Sequence, residues 1–447
     1  MRKMLAGKII SLVMLLIVNL GITGALQAQD DTPEFAPAFL VDTADGIIFY
    51  GVNLENEVTE IGNLPAAFSV FDADEITEWR INKRSNFVLS PDRQHVAFVA
   101  QNTNSGSNSL FIYDLEIAGL HEAVTLEACN GLYPPSINWS PDGSLVAVLP
   151  GCESYTGDAR ILYRLPDQTR LSVPDDYSRG YWADDNRTLL YVADGYSINI
   201  FNSEHNSVSH LANIENLTIS ANAGRFVRAC GFVWSELAQR WFFEIGCVAS
   251  IDGPMDYLYS IDSDGNTRLE ISLPDFYSSL FPQNVSDNNY QYINLYSVVV
   301  TPTTLYLIVE IGLYPNHWSI LSYPSELRAL ARPVEVFHFE NSSNYGDSFA
   351  DIAFSPDYTA LAMVDFEGNI KIAGLPEGNL IGEIQGGVFD NEGATYQVNW
   401  LDDNRLIYTR TDGGIGIFYA AVAFDQTDID FAASLSGEAY ILRQTNS

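Results

Sequence analysis

A short turn unit that recurs along the chain constrains its fold more than any other feature. The clearest copy is Trp139 followed by Ser140-Pro141-Asp142-Gly143 and the apolar run Leu145-Val146-Ala147-Val148-Leu149. Serine opens a turn, proline presets φ at its second position, and Asp-Gly tolerates its end. With Ile137 and Trp139 on the other side, the unit reads as a tight hairpin between two buried strands. Variants are Ser90-Pro91-Asp92 before Val96-Ala97-Phe98-Val99, and Trp182-Ala183-Asp184-Asp185-Asn186 before Leu189-Leu190-Tyr191-Val192. Others are Trp234-Ser235 before Trp241-Phe242-Phe243, Thr301-Pro302 before Leu305-Tyr306-Leu307, and Ser355-Pro356-Asp357 before Ala360-Leu361-Ala362. The last is Trp400-Leu401-Asp402-Asp403-Asn404 before Leu406-Ile407-Tyr408.

The anchor positions 90, 140, 183, 235, 301, 355 and 401 recur at roughly 52 residues on average, within the range of propeller blades. Two more strand-like runs follow each hairpin, such as Ser109-Leu110-Phe111-Ile112-Tyr113 and then Ala123-Val124-Thr125-Leu126. Four short strands per period, A to D, describe an all-β propeller of antiparallel blades. The Trp-Ser-Pro-Asp-Gly unit also resembles the WD-like repeat of TolB-like proteins, across residues 36–447. That resemblance implies the fold. Such propellers act as binding platforms, scaffolds or accessory domains of peptidases, so it selects no function. The hydrolase domain that the peptidases carry beside the propeller is not expected here.

The runs Phe39-Leu40-Val41, Ile47-Ile48-Phe49-Tyr50-Gly51-Val52 and Glu57-Val58-Thr59-Glu60-Ile61 read as strands B, C and D without an A. Glu438-Ala439-Tyr440-Ile441-Leu442 reads as an unpartnered strand. Pairing the two ends would close the ring and remove exposed sheet edges. The expectation is a single propeller of eight four-stranded blades closed in this way, with seven blades as the alternative. One short helix is expected at 325–331.

Arg2, Lys3 and Lys8 flank a short apolar core, Ile9-Ile10-Ser11-Leu12-Val13-Met14-Leu15-Leu16-Ile17-Val18, which ends near Ala25-Leu26-Gln27-Ala28. This describes a signal peptide over 1–28 ahead of a propeller over 29–447, too short to span a membrane comfortably. The chain is therefore expected to be secreted, extracellular or periplasmic, with no membrane insertion after cleavage and no lipid anchor. A formal net charge of −35 argues against nucleic acid and anionic lipid as partners. At 47% hydrophobic residues the acidity decorates a large core rather than a disordered tail. Cys129 and Cys152 flank the Ser140 hairpin, and Cys230 and Cys247 flank the Ser235 hairpin. Each pair is expected to form a disulfide across its hairpin mouth.

No catalytic residue is expected. There is no Gly-x-Ser-x-Gly, and Gly346-Asp347-Ser348-Phe349, which resembles the start of a GDSL-type hydrolase motif, reads as a loop before an A strand. The histidines at 95, 121, 205, 210, 317 and 338 lack metal-ligand spacing and read as strand or loop residues. Asp262-Ser263-Asp264-Gly265-Asn266 has its glycine too early for an EF-hand, so it reads as a hairpin turn. No cofactor is expected, calcium being the one cation weighed.

The remaining signal is a surface. The D–A and B–C connections share one face and carry Tyr133, Tyr155, Tyr177, Phe276, Tyr277 and Tyr345 among Asn, Ser and Gly. Tyrosine among small polar residues makes adaptable recognition surfaces. The reading is a monomeric, non-catalytic propeller that binds a protein, peptide or glycan through this face. The alternatives are a metal-assisted propeller enzyme (lyase, lactonase or glycosidase) and a structural subunit of an envelope complex.

Overall fold

The computed structural model describes residues 35–70, 78–81, 87–126, 136–149, 161–171, 180–183, 185, 187–193, 196–215, 217, 229–245, 257–272, 293–301, 304–311, 317–324, 334–340, 351–365, 368–384, 396–410, 414–419, 431–434 and 438–444. The expected signal peptide and the expected helix at 325–331 lie outside them.

The turn unit folds as its residues dictate, with one bonding pattern in three copies. Ser140 Oγ donates to Asp142 Oδ1 at 2.7 Å and accepts from Leu145 N at 2.9 Å, while Ser144 N donates to Asp142 at 3.0 Å. Ser355, Asp357, Thr359 and Ala360 repeat those bonds at 2.7, 3.0 and 2.9 Å. Ser90, Asp92, Gln94 and His95 do so at 2.5, 3.0 and 2.9 Å. The residue after the aspartate takes a left-handed φ in all three, 71° at Gly143, 61° at Arg93 and 57° at Tyr358. Each serine is buried and each of its hydrogen-bonding roles is used, which is what burial of a hydroxyl requires.

From these hairpins the chain builds four-stranded antiparallel sheets over 136–171, 180–213, 229–272, 293–340, 351–384 and 396–434. A further four-stranded sheet joins the ends of the chain. Glu438–Ile441 pairs with Ala36–Thr43, with Phe39 opposite Ile441 and Asp42 opposite Glu438, and Gly46–Val52 and Val58–Asn63 follow. Seven four-stranded blades result, not the eight expected. The Ser90 unit departs from the pattern: it belongs to a seven-stranded sheet that includes His95–Asn102, Asn108–Asp114 and Gly119–Leu126.

The physical reason is a divided inner strand. Val88–Leu89 pairs with only the Val96 end of His95–Asn102, and Trp79–Ile81 pairs with the other end, from Ala100 to Asn102. Each piece then takes a parallel neighbour: Phe68–Val70 lies beside Trp79–Ile81, and Arg443–Gln444 lies beside Val88–Leu89. Two short strands leave inner-edge hydrogen-bonding groups that the additional pair satisfies.

Packing completes the ring. The B strands are apolar on both faces and alternate between neighbours: Leu145 and Ala147 join the core with 180–213, while Val146 and Val148 join the core with Val88, Val99 and Ile112. Equivalent shared cores continue to the sheet that contains both ends of the chain. A tryptophan before the anchor ties sheet to sheet. Trp139 Nε1 donates to Val88 O at 3.0 Å, Trp182 Nε1 to Asn138 O at 3.4 Å, and Trp400 Nε1 to Ala353 O at 3.0 Å. In each case the acceptor lies two residues before the preceding anchor. Trp234 differs: its Nε1 donates to Glu236 in its own turn, and Tyr181 OH instead accepts from Gly231 N at 3.1 Å.

The joint between the chain's ends has its own polar lock. Arg405, 5% exposed, donates to Asp402 at 2.6 Å and, across the joint, to Asn53 O and Asn56 Oδ1. Gln397 Oε1 accepts from Ile441 N at 2.8 Å, and Arg443 pairs with the buried Asp351.

Candidate functional site

Strand order divides the connections between two faces. Among the described residues the A–B and C–D turns are short and internally bonded, as in the serine turns and at Asp262, which accepts from Asp264 N at 3.1 Å and Asn266 N at 2.8 Å; the C–D connections 325–333 and 420–430 are longer. The expected hairpin at 262–266 is thus present, with Gly265 at φ 82°. The D–A and B–C connections leave the opposite strand ends and include the long stretches 150–160, 246–256 and 273–292. Tyr133, Tyr155, Tyr177, Phe276, Tyr277 and Tyr345 lie outside the described residues. Cys129, Cys152 and Cys247 also lie outside them. The backbone of Cys230 is described, and a bulge after it sets it opposite Glu244.

Among the described residues a concave site lies on the other face. A cavity of about 500 Å³ opens between the Ser90 sheet and the blade over 136–171, lined by His95, Asp114, Ile117, Leu120, His121, Leu165, Pro166 and Gln168. His95 comes from the start of a B strand, where the serine turn places it; the same position holds Leu145 and Ala360 in the sister turns. Asp114 ends the C strand, His121 lies near the start of the D strand, and Leu165 to Gln168 form the C–D turn of the next blade. Both C–D turns carry a left-handed residue, Ala118 at φ 50° and Gln168 at φ 53°.

The polar groups of the cavity are incompletely paired. Asp114 Oδ1 accepts from Glu116 N at 2.9 Å and Ile117 N at 3.1 Å, while Oδ2 stands 3.7 Å from His95 Nε2, beyond hydrogen-bond length. His95 Nδ1 is 4.0 Å from Asp92 Oδ1, and neither His95 Nδ1 nor His121 Nε2 has a hydrogen-bond partner although both atoms are buried. The rings pack on aromatic neighbours, His95 at 6.3 Å from Trp139 and His121 at 6.4 Å from Tyr163. Burial, with the His95 ring second, lowers the His121 pKa despite the opposing Asp114 charge, so this imidazole is neutral at physiological pH.

Beside the cavity, Asp92 is held down to about 2, chiefly by the adjacent His95 and also by donation from Ser90 Oγ and Gln94 N, against partial burial. A carboxylate lowered by folding stabilises the fold above its unfolded pKa, and that contribution is lost as pH falls through the folded value. Acid melts are therefore expected to show stability declining between the ordinary carboxylate range and about 2, with a shallower decline in Asp92→Asn. An unchanged acid limb in that variant contradicts this assignment.

The cavity was not foreseen from the sequence, where His95 and His121 read as ordinary strand residues. The signal available was a histidine at a turn position otherwise held by Leu145 and Ala360. His205 and His210 stay local, bonded to Asn202 at 3.0 Å and Asn199 at 3.1 Å. Among the described residues no group of three His, Cys, Asp or Glu side chains is placed to hold a metal ion, and no helix is long and apolar enough to cross a membrane.

The blades define the class of protein as a β-propeller of four-stranded antiparallel blades. No family model and no curated protein matches the chain. Solved structures similar to it include the C-terminal WD40 domain of Sif2, at 10% identity and TM-score 0.49, covering 84% of this chain and 90% of that one. The β-propeller domain of Myceliophteria thermophila Cps50 (Swd1) is similar at 14% identity and TM-score 0.44, covering 77% and 99%. Dihydro-heme d1 dehydrogenase NirN is similar at 11% identity and TM-score 0.51, covering 93% and 75%. At these identities the likeness is one of fold.

Proposed function

We propose that this protein is an exported, non-catalytic binding propeller that recognises a protein, peptide or glycan through its D–A/B–C face. One observation carries the reading: the serine turns at one end of the blades are short and internally bonded, while the connections 150–160, 246–256 and 273–292 at the other end are long. A rigid scaffold that presents long, tyrosine-bearing connections on one side is how recognition surfaces are commonly built. The serine turns that resemble the TolB-like repeat belong to the scaffold, so the recognition chemistry lies at the opposite strand ends. Export fits the apolar segment behind Arg2 and Lys3 and the strongly acidic composition.

The test is capture from extracellular material and a glycan array, with the intact chain and with Tyr155→Ser, Tyr277→Ser and Tyr345→Ser combined. Buried interface tyrosines each contribute about 2 kcal/mol when they are hot spots, so the combined variant is expected to bind a captured ligand at least tenfold more weakly. Unchanged affinity for every ligand would remove this face from the account.

A further inference from the structure

We infer that the cavity between the Ser90 sheet and the blade over 136–171 is a second ligand site, which takes an ammonium group carried on an apolar stem. A free alkylamine and a lysine side chain of a polypeptide share that chemistry. The polar end of the site holds acceptors in want of donors. Asp114 Oδ2 stands 3.7 Å from His95 Nε2, beyond hydrogen-bond length. His121 Nε2 is buried without a partner on a ring held neutral, and it accepts when the ring proton sits on the other nitrogen. An ammonium has three donors and a full positive charge, so it answers both groups at once. An anion would meet Asp114 and Asp92, and a purely apolar guest would leave the buried nitrogens unpaired.

The remaining walls suit a stem. Ile117, Leu120, Leu165 and Pro166 are apolar, and Ile117 is 74% exposed at the rim, where a guest would cover it. A cavity of about 500 Å³ holds a chain the length of a lysine side chain with room for its surroundings. The net charge of −35 raises the local concentration of cations. This site is independent of the recognition face, since it lies at the opposite strand ends.

Butylammonium, the neutral 1-pentanol and N-acetyl-lysine methylamide are the probes, titrated into the full chain and followed by the ring resonances of His95 and His121. Both amines are expected to shift these resonances saturably, and pentanol is not. Asp114→Asn, which keeps the turn acceptor but removes the charge, is expected to weaken amine binding at least tenfold. Ile117→Lys is expected to do the same by repulsion; its side chain is exposed, so it decides the matter even if Asp114→Asn fails to fold. Tighter binding of the lysine derivative supports a polypeptide guest, and tighter binding of butylammonium supports a free amine. Equal shifts with pentanol, or wild-type amine affinity in Ile117→Lys, overturn the proposal. The triple tyrosine variant keeps amine binding, so this inference and the recognition-face reading fail separately.

Discussion

Trp139→Ala is expected to destabilise the protein by about 5 kcal/mol, a large share of a typical folding free energy. The side chain is 1% exposed, in a core shared by the Ser90 sheet and the blade over 136–171, and its Nε1 donates to Val88 O at 3.0 Å. Removing it opens a cavity in both layers and takes away a donor from an inner strand only two residues long. The staple itself is isolated by phenylalanine. Trp139→Phe and Trp400→Phe are each expected to cost about 1–2 kcal/mol, whereas Trp234→Phe, whose Nε1 bonds exposed Glu236, is expected to cost less than about 0.5 kcal/mol. Denaturant midpoints at constant m-value read the difference. An equal cost for all three would mean that the inter-sheet hydrogen bond is not what distinguishes them.

Gly378→Ala is expected to cost about 3 kcal/mol or more, and Gly106→Ala about 1 kcal/mol. Both glycines sit at left-handed φ, 72° and 74°, so the backbone strain is the same. Their surroundings differ. A Cβ on Gly378 would be driven into the carbonyl oxygen of Val336 in the neighbouring blade, whereas one on Gly106 meets nothing within 4 Å. Gly378 N also donates to Gly374 O at 2.7 Å, which holds the turn in place against that neighbour. Thermal melts of the two variants separate strain from close approach, and similar losses would show that the blades do not press together at this turn.

The serine turns were legible because their chemistry is local. Ser, Pro and Asp set three hydrogen bonds within six residues, and the apolar runs on either side leave one choice of partner. The pairing of the two ends of the chain was legible for a related reason, since the N-terminal runs supply three strands of a unit and the C-terminal run supplies one; its register, Phe39 opposite Ile441, was not. The Ser90 sheet was not. Its inner strand is divided between Trp79–Ile81 and Val88–Leu89, and Phe68–Val70 and Arg443–Gln444 are too short to show a period. Parallel pairing between such pieces follows from vacant edges in three dimensions, which no local pattern records. The equal treatment of all seven anchors therefore led to one four-stranded blade too many.

The cavity was hidden for the same reason. His95 and His121 belong to two strands of one sheet, and Leu165, Pro166 and Gln168 belong to a turn of the next. Nothing in their spacing along the chain relates them; the register of Asn108–Asp114 with its two neighbours brings the two histidines together, and packing of the next blade adds the turn. The tyrosines of the D–A and B–C connections are the converse case, conspicuous in sequence but outside the described residues.

The claim on which the rest depends is that residues 36–43 and 438–441 close one ring, and hydrogen exchange tests it most directly. The account predicts that amides of 438–441 exchange as slowly as those of the interior strand 46–52, and that deleting 438–447 exposes 36–43 and loosens the Arg405 contacts. Exchange of 438–441 at free-chain rates, or unchanged protection of 36–43 after the deletion, would contradict it.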